Sequence, residues 1–147
     1  MTWNAIPDEE RLRLWKKLRN ELTGLPIEQQ LSAIAKFCSA IPCGARTLDY
    51  YSAENWPTPW EILYHGSFCI SSISLLMYYT ITVTNSNLAN NVELWLVKDN
   101  DGDYLLPVIN DQFILNYESG TVSNHSEICD YFIVMQKFSR LQIKTIA

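Results

Sequence analysis

No two of the four cysteines (Cys38, Cys43, Cys69 and Cys129) are spaced as C-x-x-C, so a zinc site lacks its usual ligand pairs. No apolar run is long enough to cross a membrane. The longest, around "ISLLMYYTITV", is both too short and too polar. The first residues, "MTWNAIPDEERLRLWKKLRNELTG", have no apolar core of signal-peptide type, so the chain is expected to be non-secreted, with its cysteines as free thiols. Excess positive charge is missing too. A net charge of −5 argues against a broad grip on nucleic acid. Internal repeats and low-complexity linkers are absent, and no cofactor or metal is implied.

What is present is an ordinary globular balance. Of 147 residues, 48% are hydrophobic and 18% charged, enough for one domain with one proper core. Residues 8 to 23 read as a helix entered through Pro7 and Asp8, with Leu12, Trp15, Leu18 and Leu22 as its apolar stripe. Arg11, Lys16, Lys17 and Arg19 lie mainly off that stripe, as a solvated face or as a patch for an acidic neighbour. Residues 27 to 41 give a second amphipathic helix, in which Cys38 is a small core residue. Residues 42 to 57 read as an ordered loop.

The segment "TPWE" is a sharp helix start: Thr58 caps, Pro59 takes the first helical position, and Glu61 follows three after the cap. His65-Gly66 interrupts that short helix. Ser67 is the expected cap of the next, which carries Cys69, Ile73, Leu76, Met77 and Thr80 and has no clear end in the strand-like "YYTITVT". The second half changes character. "VELWLVKD" alternates as a half-buried strand, Asp101-Gly102 marks a hairpin, and "YLLPVI" returns. Pro107 removes a ladder donor, which predicts an edge or a bulge. "QFILNYE" is a third strand and residues 118 to 127 a loop. "ICDYFIVMQKF" and "LQIKTIA" supply one or two more strands, the first with a helical alternative. Helices followed by an antiparallel meander make an α+β domain. "VKDNDGDYLL" has the wrong residues at the first and twelfth positions of a calcium loop, Val97 and Val108, so it reads as a hairpin turn.

Two features carry candidate chemistry. A thiol near a helix N-terminus is favoured as thiolate by the unpaired N–H groups, and an adjacent imidazolium adds to the effect. Cys69, about two positions into its helix, meets half of this requirement. His65 is near in sequence but lies across the Gly66 break. A buried structural thiol and a nucleophile both remain open for Cys69. The second feature is the aromatic group Tyr50, Tyr51, Trp56, Trp60 and Tyr64, either a ligand or partner platform or the packing of the long loop onto the helices.

A short helix, a cysteine opening the central helix and a following meander resemble the transglutaminase-like branch of the papain-like cysteine enzymes, over about residues 55 to 117. The resemblance implies a catalytic His near the start of a following strand and an Asp on the next. Cys69 matches the nucleophile. "DYLLPVI" carries no His, with Tyr104 and Leu105 standing about where the base belongs. Asn116 occupies the place of the Asp on "QFILNYE", and His125 comes late, in a loop. A thiol without a base is only slightly ionised at neutral pH. The expectation is thus a retained fold with a lost active site: residues 1–45 as a helical pair and 46–147 as a transglutaminase-like core.

"DEERLRLWKKLR", "ENWPTPWEILYHGSFC" and "FILNYE" also resemble parts of an uncharacterised family of contractile-tailed bacteriophages, including cyanophages. That resemblance implies a virion structural or assembly protein, in the virion or the host cytoplasm. It would dock on other virion proteins without membrane or specific nucleic acid, and an oligomer within the particle is open. The expected docking residues are Trp15, Lys16 and Arg19 on the first helix, Trp56 and Trp60, and Pro107 at an open sheet edge. Two alternatives stand beside it. One is a cysteine hydrolase or acyltransferase using Cys69, with His65 or His125 as base and Asn116 as orienting group. The other is a small binding module centred on Trp56 and Trp60.

Overall fold

The structure, a computed structural model, describes residues 3–146. Helix α1 spans Asp8–Leu22 and α2 spans Ile27–Ser39. Asp8, Glu9 and Glu10 occupy the first turn of α1, where negative charge offsets the helix dipole. Leu22, Leu31, Ile34 and Ala35 have no exposure at all, so the two apolar stripes do meet a common core. The second helix stops two residues short of the expected end, before Pro42.

The short helix α3, Pro59–His65, begins with the predicted capping box: the Thr58 hydroxyl accepts from the Glu61 N–H, and the Glu61 carboxylate accepts from the Thr58 N–H. It ends at Gly66 in the left-handed conformation (φ 66°). A Cβ there would overlap the Arg11 guanidinium, which donates to the Tyr64 carbonyl at 2.8 Å and so ties α1 to the last turn of α3.

Helix α4, Ile70–Thr84, is the centre of the molecule and runs through "YYTITVT" without a break. Burial on almost every side, with eleven successive buried residues from Ser71 to Ile81, overrides the strand-like composition of its second half. The helix starts later than expected: Cys69, not Ser67, is the N-cap residue.

Strands β1 (Val92–Asp99), β2 (Gly102–Ile109), β3 (Phe113–Leu115), β4 (Val122–Asn124) and β5 (Ile133–Phe138) form one sheet ordered β4-β3-β2-β1-β5. Every pairing is antiparallel. One face, with Leu94, Leu96, Leu105 and Ile109, packs on the helices. The opposite face, with Trp95, Val97, Leu106, Val108 and Ile114, packs on Ile128 and Phe132. The strands expected to be half-buried are therefore covered on both sides. The segment read as a loop adds β4 at the sheet edge and begins a helical turn, α5 (His125–Ile128), whose Ile128, with Phe132 beyond it, covers the far face. Of the described tail only Ile133–Phe138 is strand; residues 141–146 of "LQIKTIA" are not.

Pro107 is the main departure. It lies buried in β2, an internal strand, opposite Leu94. The ladder between β2 and β3 covers only Val108 and Ile109 and stops before the proline, so the missing N–H costs no pairing there. The open edges are β4 and β5.

Candidate functional site

The N-terminus of α4 is held by four polar side chains that bridge elements. The Ser71 hydroxyl accepts from the Leu105 N–H at 3.1 Å, and Ser74 donates to the Leu105 carbonyl at 2.7 Å. Tyr50 lies 2.9 Å from the Ser71 hydroxyl and donates to the Asp103 carbonyl at 3.1 Å. Asn116, just past β3, donates to the Ser74 hydroxyl at 2.8 Å and to the Ile70 carbonyl at 3.2 Å. Serines buried in an apolar helix need such partners. Ser71, Ser72 and Ser74 together inside "ISSISLL" were the sequence signal for this latch; Tyr50 had none beyond its membership of the aromatic group.

Cys69 stands at the edge of the latch, half-buried. Its Sγ lies 3.6 Å from the Ser72 hydroxyl, and its backbone N–H donates to the Arg46 carbonyl at 2.7 Å. That bond belongs to a short parallel bridge between the loop at 44–46 and Ser67–Cys69. The approach is close enough that a Cβ on Gly44 would overlap the Ser67 carbonyl. The bridge also brings Cys43 near: burial, and then the Cys69 thiol beside it, push the Cys43 thiol above its ordinary range.

Among the described residues neither imidazole is hydrogen-bonded to Cys69. His65, the last residue of α3, is exposed, with its ring edge-on to Tyr64 (5.5 Å) and Phe68 (6.2 Å). His125 packs edge-on against Trp95 at 5.0 Å, with Nδ1 3.2 Å from the Asp111 carbonyl. Trp95 belongs to the face of the sheet turned away from α4, so the sheet lies between His125 and Cys69. Tyr104 also points away, with its hydroxyl 2.5 Å from the Asp99 carboxylate. Leu105 keeps its backbone on the latch and its side chain in the core. Asn116 does reach the first turn of α4, but its amide is engaged with Ser74 and Ile70.

The aromatic group divides. Trp56 is only 2% exposed, lies 4.9 Å from Phe138 and donates its indole N–H to the Asp49 carbonyl at 2.7 Å. It is core, and so is Trp15, whose indole donates to Thr80 at 2.9 Å. These two rings, with buried Pro107, are not available as docking residues. Trp60 is 43% exposed, edge-on to Trp15 at 6.1 Å. Lys16 is fully on the surface and Arg19 half-buried. A binding site centred on the Trp56/Trp60 pair is therefore replaced by an opening at Trp60 alone.

No protein-family model matches the sequence, and no curated protein matches it. Solved structures do. LapG of Legionella pneumophila superposes with a TM-score of 0.73 at 14% identity, over 90% of this chain and 76% of that one. The fold is transglutaminase-like. The EGTA-treated form of LapG gives 0.74 at 14% identity, over 90% and 74% of the two chains. The calcium-bound form gives 0.70 at 14%, over 92% and 85%. At such identity the likeness speaks for the fold and for nothing finer. Among the described residues no helix is long and apolar enough to cross a membrane.

Proposed function

We propose that this chain is a transglutaminase-like scaffold that binds other proteins and does not catalyse acyl transfer. One observation carries the reading: the Cys69 sulfur has a hydroxyl neighbour, and among the described residues neither His65, edge-on to Phe68, nor His125, edge-on to Trp95, is hydrogen-bonded to it. A thiol nucleophile needs a base within hydrogen-bond reach. The partners we propose are other virion proteins of a contractile-tailed phage, a setting that rests on the sequence resemblance. The edge strand β5 offers the docking surface, with Ile133 and Met135 exposed to 68% and 51% beside unpaired backbone groups. Mass spectrometry of purified particles tests the setting. Recovery at constant copy number is expected, and absence from the particle overturns it.

The fold shared with LapG favours a second reading, a cysteine hydrolase or acyltransferase using Cys69. Its support is the scaffold class together with a partly exposed thiol at the N-cap of α4. On this reading His65 or His125 would have to swing to the sulfur. Alkylation of Cys69 by iodoacetamide between pH 5 and 9 separates the two. A rate that follows ordinary thiol ionisation supports the binding scaffold; fast labelling below pH 7, lost in His65→Ala or His125→Ala, supports the enzyme.

A further inference from the structure

At the opposite end of α4 from Cys69 lies a cleft of about 390 Å³, within the size range of small-molecule sites. Its walls come from α1, α3, the second half of α4 and the C-terminal segment. Trp15, Trp60 and Tyr78 give it an apolar aromatic lining, and Arg19, Arg140 and Lys144 bring three cations. In a chain of net charge −5, three cations around an aromatic cleft with no aspartate or glutamate among its described lining residues are an uneven distribution.

The cations are not equivalent. Arg19 lies over the Trp15 ring, 4.1 Å from its centre, and its buried Nε has no hydrogen-bond partner among the described residues. Neither Arg19 nor Arg140 is in an ion pair among those residues. Lys144 is partly engaged: its ammonium donates to the Trp56 carbonyl at 2.9 Å, and, behind the Thr58 N–H and hydroxyl, it helps to hold the Glu61 carboxyl below its ordinary range. Desolvation already disfavours the Arg19 charge, and an anion in the cleft, paired with the outer face of the guanidinium, would offset that cost.

We propose that this cleft binds a small organic anion: an aromatic body against Trp60 and Tyr78, and a carboxylate or phosphate head on Arg19 and Arg140. The flat guanidinium of Arg19 lies over Trp15, and the guanidinium fork matches the oxygens of either head group. The site is independent of Cys69, so its existence does not turn on whether that thiol is reactive.

Titration calorimetry of the full chain with 1-naphthoate, 1-naphthyl phosphate and neutral 1-naphthamide tests the assignment, with Trp fluorescence as a second readout. At least one anion is expected to bind and the amide to bind about tenfold more weakly or not at all. Preference between the two anions identifies the head group. Arg19→Gln and Arg140→Gln should each weaken the anion about tenfold and leave the amide unchanged, while Trp60→Ala should weaken all ligands. Unchanged thermal unfolding shows that a variant is still folded; Arg140→Gln serves if Arg19→Gln is not. Equal affinity for anion and amide, no binding of either anion, or anion binding indifferent to both arginines would overturn the proposal.

Discussion

The Asn116 amide donates to the Ser74 hydroxyl at 2.8 Å, and Ser74 in turn donates to the Leu105 carbonyl at 2.7 Å. Three elements, β3, α4 and β2, are joined by this chain of two bonds. It fixes the first turn of α4, which opens on Cys69, and it employs as a strut the residue that would orient the base.

Replacing Asn116 should therefore act on stability. Its backbone is left-handed (φ 65°), a conformation that costs an alanine roughly 1 kcal/mol. Asn116→Ala loses both donations and adds that strain, for a total of about 2–3 kcal/mol. Asn116→Gly loses the bonds only. Urea unfolding of the three proteins should rank them native, glycine, alanine.

Gly44→Ala should be costly for a different reason. The added methyl would overlap the Ser67 backbone, and backbone cannot rotate out of the way as a side-chain tip can. About 2–3 kcal/mol of destabilisation is expected, with faster labelling of Cys69 as the bridge opens. Gly24→Ala is the control. It has positive φ but nothing near its Cβ, so only about 1 kcal/mol of conformational strain is expected.

The cysteines should label in order of access. Cys43 and Cys129 are exposed, Cys69 half-buried and Cys38 buried. Peptide mapping after brief N-ethylmaleimide treatment at pH 8 should find Cys129 and Cys43 modified first, Cys69 later, and Cys38 only after addition of denaturant. Early modification of Cys38 would contradict its place in the core.

Stability should fall on the alkaline side. Burial pushes the Cys38 thiol from its ordinary 9.0 up to about 12, so between those values the unfolded chain has lost a proton that the folded chain keeps. Rising pH then favours unfolding, by about 1.4 kcal/mol per pH unit for that one thiol. Tyr78 and Tyr79, each pushed to about 12 chiefly by burial, act in the same direction from about pH 10. Urea midpoints measured from pH 8 to 11 should decline from near pH 9. In Cys38→Ala the decline near pH 9 should be shallower, since the raised Cys43 thiol and the tyrosines remain.

Much of the fold was legible in residue order. The capping box at Thr58 and Glu61, the stop at Gly66 and the Asp101-Gly102 hairpin are local devices whose chemistry is complete within a few residues. Where sequence reading failed, long-range burial decided. The second half of α4 is helix because it is enclosed, β2 is internal in spite of Pro107, and a stretch read as a loop supplies the edge strand β4 and the start of α5, whose Ile128 helps to cover the far face of the sheet.

The candidate site divides in the same way. The sequence by itself placed Cys69 near the start of the central helix, two residues after the cap expected at Ser67, and determined that β2 carries no histidine to serve it, because both facts follow from residue identity and local periodicity. Only the tertiary structure decided where His65 and His125 point, that Asn116 holds Ser74, and that Trp15, Trp60, Arg19 and Arg140 meet in one cleft. These relations join residues tens of positions apart, and only the packing of the helices on a twisted sheet sets their distances.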